Sequence, residues 1–244
     1  MKPTLDIITV TKDDLVGVAA TIASTRKLRA CAGTRQIVVD SSSEPVAAKV
    51  KELLVGENNL DYVWQEPDGI ASAFNLGISR STADWLWFLN GGDAVHPDLV
   101  ESLLLQILDS TQAGIVIFEL EYMQTRLRAG HPPLWALWPP MYGNWVPHPA
   151  AIISAKLFKQ YGVFDTSYKI AMDADWWMRV FSKNVVVDML SIPIVLYDQY
   201  GVSSTNLVVT GKEAERIISG NIRMLARMWL ARGAHLFRAF FLKR

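Results

Sequence analysis

Asp93 ends the segment Asp84-Trp-Leu-Trp-Phe-Leu-Asn-Gly-Gly-Asp93, and its setting suits phosphate chemistry. The bulky apolar run reads as a buried strand. Two glycines stop the strand and let the backbone turn sharply. Open α/β sheets bind their ligands at the carboxyl ends of the strands. A carboxylate there can hold a hard divalent cation, and the cation can hold a phosphate. The competing role is a turn aspartate capping a helix that starts near Pro97.

Two more carboxylates follow strand-like runs. Asp40 ends Gln-Ile-Val-Val-Asp40, and Asp68 lies in Glu66-Pro-Asp68-Gly69. A parallel sheet would carry Asp40, Asp68 and Asp93 to one edge. A nucleotide offers ribose hydroxyls and base N–H groups for Asp40 and Asp68 to accept from. A fourth cluster is Ala171-Met-Asp173-Ala-Asp175-Trp-Trp-Met-Arg179. Asp175 and Arg179 are four residues apart and pair on one helix face. That makes Asp175 structural and leaves Asp173, near the helix start, to act as a general base. The helix dipole favours an ionised carboxylate at that position.

The elements that must position these residues alternate. Strands are expected at 5–11, 36–40, 61–65, 85–89 and 114–122, with helices at 13–25, 45–55, 70–79 and 97–108 between and around them. Asp13 sits near the start of the first helix, and Pro45 falls in the first turn of the second. This order predicts an α/β fold with a mostly parallel central sheet and helices on both faces. Residues 128–149 are rich in proline and aromatics and predict a long loop, either a lid or a binding loop or a segment tucked onto the core. Beyond it come a strand near 152, a helix at 175–182, and short strands at 185–189 and 192–197.

Composition narrows the class. The chain has 244 residues, half of them apolar, and one cysteine. That cysteine allows neither an internal disulfide nor a cysteine-built zinc site. No charge-free apolar stretch reaches the length of a membrane span, and the N-terminus shows no signal-peptide pattern. A cytoplasmic protein is expected. There is no G-x-G-x-x-G after the first strand, no G-x-x-x-x-G-K-[ST] and no G-x-S-x-G. These absences argue against a dinucleotide dehydrogenase, a P-loop NTPase and an α/β-hydrolase. The four histidines show no metal-ligand spacing. No nucleic-acid partner is implied.

Formal net charge is zero, yet residues 211–244 carry eight Lys/Arg against two acids. The +6 excess there is balanced by −6 in the rest. Apolar residues from Ala214 to Trp229 recur at helical spacing, with Arg216, Arg223 and Arg227 on a separate face. The last stretch, Leu236 to Arg244, is aromatic and basic. The chain thus divides into a domain over 1–210 and a basic amphipathic helical tail over 211–244. Such a tail suits an anionic membrane face, apolar side down, or a helix packed on the domain with its basic face solvated. Peripheral attachment to the inner face of the cytoplasmic membrane is expected.

In order and spacing these segments resemble the family 2 glycosyltransferases, which have the GT-A fold. The resemblance runs from about Leu5 to Asn206. Ile7-Ile-Thr-Val-Thr11 with Asp40 is similar to the family's nucleotide-base and ribose pocket. Glu66-Pro-Asp-Gly-Ile70 through Ala73-Phe-Asn75-Leu-Gly77-Ile78 resembles its E-x-D-x-G-I-x-x-A-x-N-x-G-I block. Phe88-Leu-Asn-Gly-Gly-Asp93 falls where the family has its DXD metal motif. Gly162-Val-Phe-Asp165 with Asp173, Asp175 and Arg179 resembles the G-x-F-D … E-D-x-D-x-x-x-R block, whose ED aspartate is the base. Tyr200-Gly-Val-Ser-Ser204 resembles a loop often found after it.

The resemblance implies donor-nucleotide contacts from Thr9, Thr11, Asp40, Asp68, Asn75 and Asn90. It implies Mg²⁺ or Mn²⁺ on Asp93 and a catalytic base at Asp173. The acceptor, a glycan or lipid-linked glycan of surface-polysaccharide synthesis, would enter beside Trp145, His148 and Asp175. An inverting transfer from a nucleotide-diphosphate sugar is the expected reaction. Four departures stand out: Asn90 replaces the first DXD carboxylate, Ser41 a second aspartate after Asp40, Ala71-Ser72 a Tyr-Asp pair, and Met172 the Glu before the base. The alternatives are a non-catalytic nucleotide-sugar or glycan-binding protein on the same fold, and a nucleotidyltransferase, which would want a glycine-rich loop with Arg or Lys after the first strand where this chain has Thr11-Lys-Asp-Asp14.

Overall fold

A computed structural model describes residues 3–129, 146–183, 185–200, 206 and 208–221. Trp145, most of the proline-rich loop, the 201–205 segment and residues 222–244 lie outside the described residues.

The first half builds the expected alternation. Strand β1 (Leu5–Thr11) is followed by α1 (Leu15–Ser24) and the short α2 (Arg26–Arg29). Then come β2 (Thr34–Asp40), α3 (Glu44–Leu53), β3 (Leu60–Trp64), α4 (Ile70–Arg80) and β4 (Trp85–Asn90). β1 lies between β2 and β4, and β3 adds beyond β2, all parallel. Every residue of β1 is buried. Helices cover both faces of a parallel sheet, so its inner strands are buried almost throughout rather than on alternate residues.

The second half is mixed. It comprises β5 (Ala94–Val95), α5 (Glu101–Ser110), β6 (Ile115–Tyr122), β7 (Arg128–Ala129), β8 (Ala151–Ser154), α6 (Ala155–Tyr161), α7 (Met172–Phe181) and β9 (Val187–Tyr197). β8 enters antiparallel between β4 and β6, while β9 runs parallel to β6 and antiparallel to β5. The expected α/β sheet is therefore parallel over β1–β4 and mixed beyond. The two short strands expected at 185–189 and 192–197 are one strand. Pro193 offers no N–H to the ladder, and the β6–β9 register shifts where it faces Glu119. The break in the sequence pattern marks that irregularity and not a turn.

One core packs Phe74 of α4, Leu157 and Phe158 of α6, and Trp176 and Trp177 of α7 against even-numbered β1 residues Ile8 and Val10. The other face seats α5 on Leu5 and Ile7, and α1 and α3 on Val38. A last helix, α8, covers residues 208–221. Its Ile217 is buried in the same core as α4, α6 and α7. The domain boundary expected at 210/211 thus falls inside α8, and the part of the tail seen here packs on the domain. Arg216 was expected on an outward basic face. Its guanidinium lies 4.4 Å from the centroid of the Tyr168 ring, and it donates to Ser167 Oγ at 2.9 Å.

Candidate active site

The turn after β4 is built by two glycines. Gly91 lies so close to β1 that an added Cβ would sit 3.1 Å from Thr11 Oγ1. Gly92 has φ +106°, a backbone conformation open to glycine and strained for other residues, and a Cβ there would approach the Asp198 carboxylate. The turn delivers Asp93 into the interior, where it is 2% exposed. Its Oδ2 accepts from the Asn90 backbone N–H at 3.2 Å and the Asn90 side-chain amide at 3.4 Å. Its Oδ1 accepts from the Asp198 backbone N–H at 3.2 Å. Burial pushes the Asp93 pKa up to about 7, and the charge of Asp198 adds to this; the Asp198 and Asn90 donors oppose it.

Two residues of this turn carry no expectation from the sequence. Thr21 of α1 is fully buried; its hydroxyl donates to the Asp93 carbonyl at 2.6 Å and accepts from the Gly92 N–H at 3.0 Å. A threonine inside a helix gives no sign of such a task. Asp198 follows directly on β9, and its Oδ1 accepts from Gln124 at 2.7 Å and the Tyr200 N–H at 3.1 Å. It meets the same strand-end criterion that singles out Asp40 and Asp93.

Neighbouring strand ends form a second polar cluster. Asp40 is fully buried and accepts from the Ser42 N–H at 2.8 Å and the Tyr62 hydroxyl at 3.0 Å. Burial, then the Asp40 hydrogen bond, drives the Tyr62 pKa far up. Asp40 therefore shapes the edge from behind and does not reach outward. Asp13 takes a left-handed backbone, φ +53°, and its Oδ1 accepts from both the N–H and the hydroxyl of Ser43 at 2.8 Å. Those donors hold its carboxyl below the usual range. This is why Asp14 and not Asp13 caps α1, accepting from the Gly17 N–H at 2.8 Å. Thr11 is buried at the same edge, and Asp68 stands exposed beyond β3. Trp64, 43% exposed, is pinned at the rim by its indole N–H to Ser42 O at 2.9 Å.

Two expected donor residues are placed elsewhere. Thr9 is fully buried on the α1 side of the sheet, where its hydroxyl accepts from Gln36 at 2.9 Å. It is a core residue. Asn75 clamps the chain ahead of α7: it donates to Phe164 O at 2.8 Å and accepts from Phe164 N at 3.0 Å. Both of its polar groups are committed to that splice.

α7 begins at Met172, three residues earlier than expected, and carries Asp173 in its first turn. Asp173 is buried, and its Oδ1 accepts from the Ala174 N–H at 2.7 Å. Asp175 pairs with Arg179 at 2.9 Å, as the spacing requires. Arg179 also donates to Tyr161 O and Val163 O, both at 2.8 Å, fastening the α6–α7 link. Burial raises the Asp175 pKa and Arg179 opposes it. That carboxylate is part of a structural clamp.

His148 lies one layer beneath. Its ring stacks on Phe88 at 5.3 Å and meets the edges of Phe164 and Trp177, both at 5.7 Å. The residue is 6% exposed, and neither ring nitrogen has a hydrogen-bond partner among the described residues. The Trp177 indole N–H is unpartnered too. Burial pushes the His148 pKa down to about 3. The imidazole is thus neutral at physiological pH.

Among the described residues, no three His, Cys, Asp or Glu side chains gather as a cation cage. Asp93 and Asp198 instead bring two carboxylates to the one glycine turn, joined by the Asp198 N–H on Asp93 Oδ1. A magnesium-like ion is commonly held by one or two carboxylates, with the remaining oxygens from water and substrate phosphates. The pair, with the Asn90 amide, is a donor set of that kind.

These strand-edge and helix-start carboxylates stand on a GT-A-type framework. Staphylococcus aureus TarS (residues 1–349, in complex with UDP) superposes with a TM-score of 0.67 at 16% identity, over 90% of this chain and 65% of its own. The mannosyltransferase PcManGT from Pyrobaculum calidifontis, in complex with GDP-Man and Mn²⁺, gives 0.66 at 14% identity, over 91% and 65%. The match thus spans less than two thirds of either solved chain. Residues 6–180 match the family described as glycosyl transferase family 2. The uncharacterized glycosyltransferase Rv1514c of Mycobacterium tuberculosis is 30% identical over 213 residues, covering 83% of this chain and 78% of that protein. The chain belongs to glycosyl transferase family 2.

Proposed function

We propose that the protein transfers a sugar from a nucleotide-diphosphate sugar to a hydroxyl of a glycan or lipid-linked acceptor, with inversion at the anomeric carbon. The observation that carries this reading is Asp93, buried at the carboxyl ends of the strands, with the half-buried Asp198 against it, beside the polar edge formed by Thr11, Asp13 and Asp40. A nucleoside diphosphate has the complementary chemistry. Its ribose hydroxyls face acceptors and its charge needs a counter-ion. The solved neighbours were captured with UDP and with GDP-Man and Mn²⁺.

Asp93, Asp198 and the Asn90 amide oxygen would hold Mg²⁺ or Mn²⁺, which would supply positive charge against the diphosphate leaving group. Asp173 accepts the proton of the acceptor hydroxyl. The acceptor oxygen bonds the anomeric carbon as the bond to the diphosphate oxygen breaks, so one displacement inverts the centre. Asp68 and Thr11 stand at the donor edge. Asp175, Arg179 and Asn75 keep α7 and its approach rigid, so that Asp173 meets the acceptor in one geometry. Among the described residues, no helix is long and apolar enough to cross a membrane. The basic 222–244 segment would supply peripheral attachment to an anionic leaflet, where a lipid-linked acceptor of polysaccharide synthesis resides.

A thermal-shift screen of UDP-, GDP- and dTDP-sugars with and without Mn²⁺ tests the donor. A ligand of the native state raises the midpoint by mass action. A rise with one nucleotide class, larger with Mn²⁺, is expected. No rise with any nucleotide sugar at millimolar concentration would overturn the reading.

A further inference from the structure

The N-cap residue of α7 makes no side-chain cap. The residue at the cap position is Ala171, whose side chain cannot accept a hydrogen bond. The turn ahead of it points three successive backbone N–H groups to one side, an anion-binding concavity of the kind made by consecutive amides. The occupant is the carboxylate of Glu213, more than forty residues downstream on α8. It accepts from Lys169 N at 2.7 Å, Ile170 N at 3.0 Å and Ala171 N at 2.9 Å.

The rest of α8 fixes that carboxylate. Ile217 is buried in the core shared with α7, and Arg216 stacks on Tyr168 and donates to Ser167. Asp165 holds the start of the same turn through Ser167 N at 2.8 Å. Burial acts to raise the Glu213 pKa, but the three amides and Arg216 outweigh it and hold the carboxyl below its usual range. An anion at this end of α7 also complements the helix dipole. The turn that Glu213 closes leads in two residues to Asp173.

We propose that Glu213 is the positioning residue for Asp173: α8 must be docked, with its carboxylate on the 169–171 amides, for the base to be correctly placed. The proposal rests on the assignment of Asp173 as base. It makes α8 a part of the catalytic apparatus. It also links the site to the chain that continues into the basic C-terminal segment.

The test compares Glu213→Ala, Glu213→Gln and Asp173→Asn in the full-length protein, reading kcat, donor Kd by calorimetry and the thermal midpoint. Glu213→Ala should lower kcat by tenfold or more with donor Kd within twofold of wild type, because the donor edge is built from other elements. Glu213→Gln keeps one acceptor oxygen for the amides and should recover part of the loss. Wild-type kcat in Glu213→Ala, with Asp173→Asn inactive, would overturn the role of Glu213 and leave the base standing. Parallel falls in kcat and donor affinity, with Gln no better than Ala, would reduce Glu213 to a general stability residue. Should Glu213→Ala not fold, the comparison of Gln with wild type decides by the same two criteria. Full activity in Asp173→Asn would remove the base itself, independently of Glu213.

Discussion

The two sides of the candidate site are built differently. At the strand edge each key carboxylate accepts from donors of the protein. Asp93 is held by Asn90 and Asp198, Asp40 by Ser42 and Tyr62, and Asp13 by Ser43. On the α7 side, the helix borrows its cap from Glu213, and three polar atoms, both nitrogens of His148 and the Trp177 indole, are buried without partners among the described residues. Buried polar atoms are nearly always paired, and each exception costs on the order of 1–3 kcal/mol. Buried polar atoms without partners among the described residues occur on both sides: Ser41 Oγ and Gln65 Nε2 follow β2 and β3, and the His148 and Trp177 nitrogens lie in the aromatic layer beside α7.

The contrast can be broken from either side. The largest effect is expected at Asp173. Asp173→Asn should cut transfer by roughly 10²-fold or more while donor affinity and fold persist. Turnover near wild type would place the base elsewhere. Next comes the strand edge. Asp93→Ala should abolish the Mn²⁺-dependent part of donor binding, and Asp198→Ala should weaken it less, because its carboxylate is only half-buried. Calorimetry with Mn²⁺ giving equal donor Kd in wild type and Asp93→Ala would dissolve the carboxylate pair as a cation site.

A subtler effect is expected at His148. An unfolded histidine takes a proton near pH 6.5, whereas the folded one resists until about pH 3. Its folded pKa is depressed, so the native state loses stability as pH falls from about 6.5 toward 3. His148→Phe keeps the stack on Phe88 and removes both orphaned nitrogens. It should raise the thermal midpoint at pH 5 more than at pH 8. An equal or lower midpoint at both pH values would show that the imidazole is satisfied in solution.

The smallest expected effect concerns the tail. The protein should sediment with liposomes containing acidic lipid, less so as salt rises, and removing residues 231–244 should reduce the bound fraction. Equal recovery of full-length and truncated protein in the supernatant at low salt would confine the tail to packing.

What the sequence discloses follows the same divide. The alternation of apolar strands and helices, the glycine turn before Asp93 and the Asp175–Arg179 pair are local patterns, and each is found where periodicity puts it. Thr9 and Asn75 carry the right chemistry at the right spacing, yet both are consumed by the fold. Strand position gives no measure of which hydroxyl a neighbour such as Gln36 will claim. Glu213 and Thr21 act across forty and seventy residues, and no local signal marks them. The early start of α7 has the same cause, because its cap comes from another helix. Asp198 was open to detection by the rule that found Asp93.

The most direct test of the account is the identity of the nucleotide product. With the sugar nucleotide found by thermal shift, Mn²⁺ and a membrane glycan extract as acceptor, the protein should release one free nucleoside diphosphate per sugar transferred, and Asp173→Asn should release it at least roughly 10²-fold more slowly. Pyrophosphate in place of nucleoside diphosphate would indicate nucleotidyl transfer. Saturable donor binding with neither product would make the protein a binding module on a transferase fold. Either result would contradict the account.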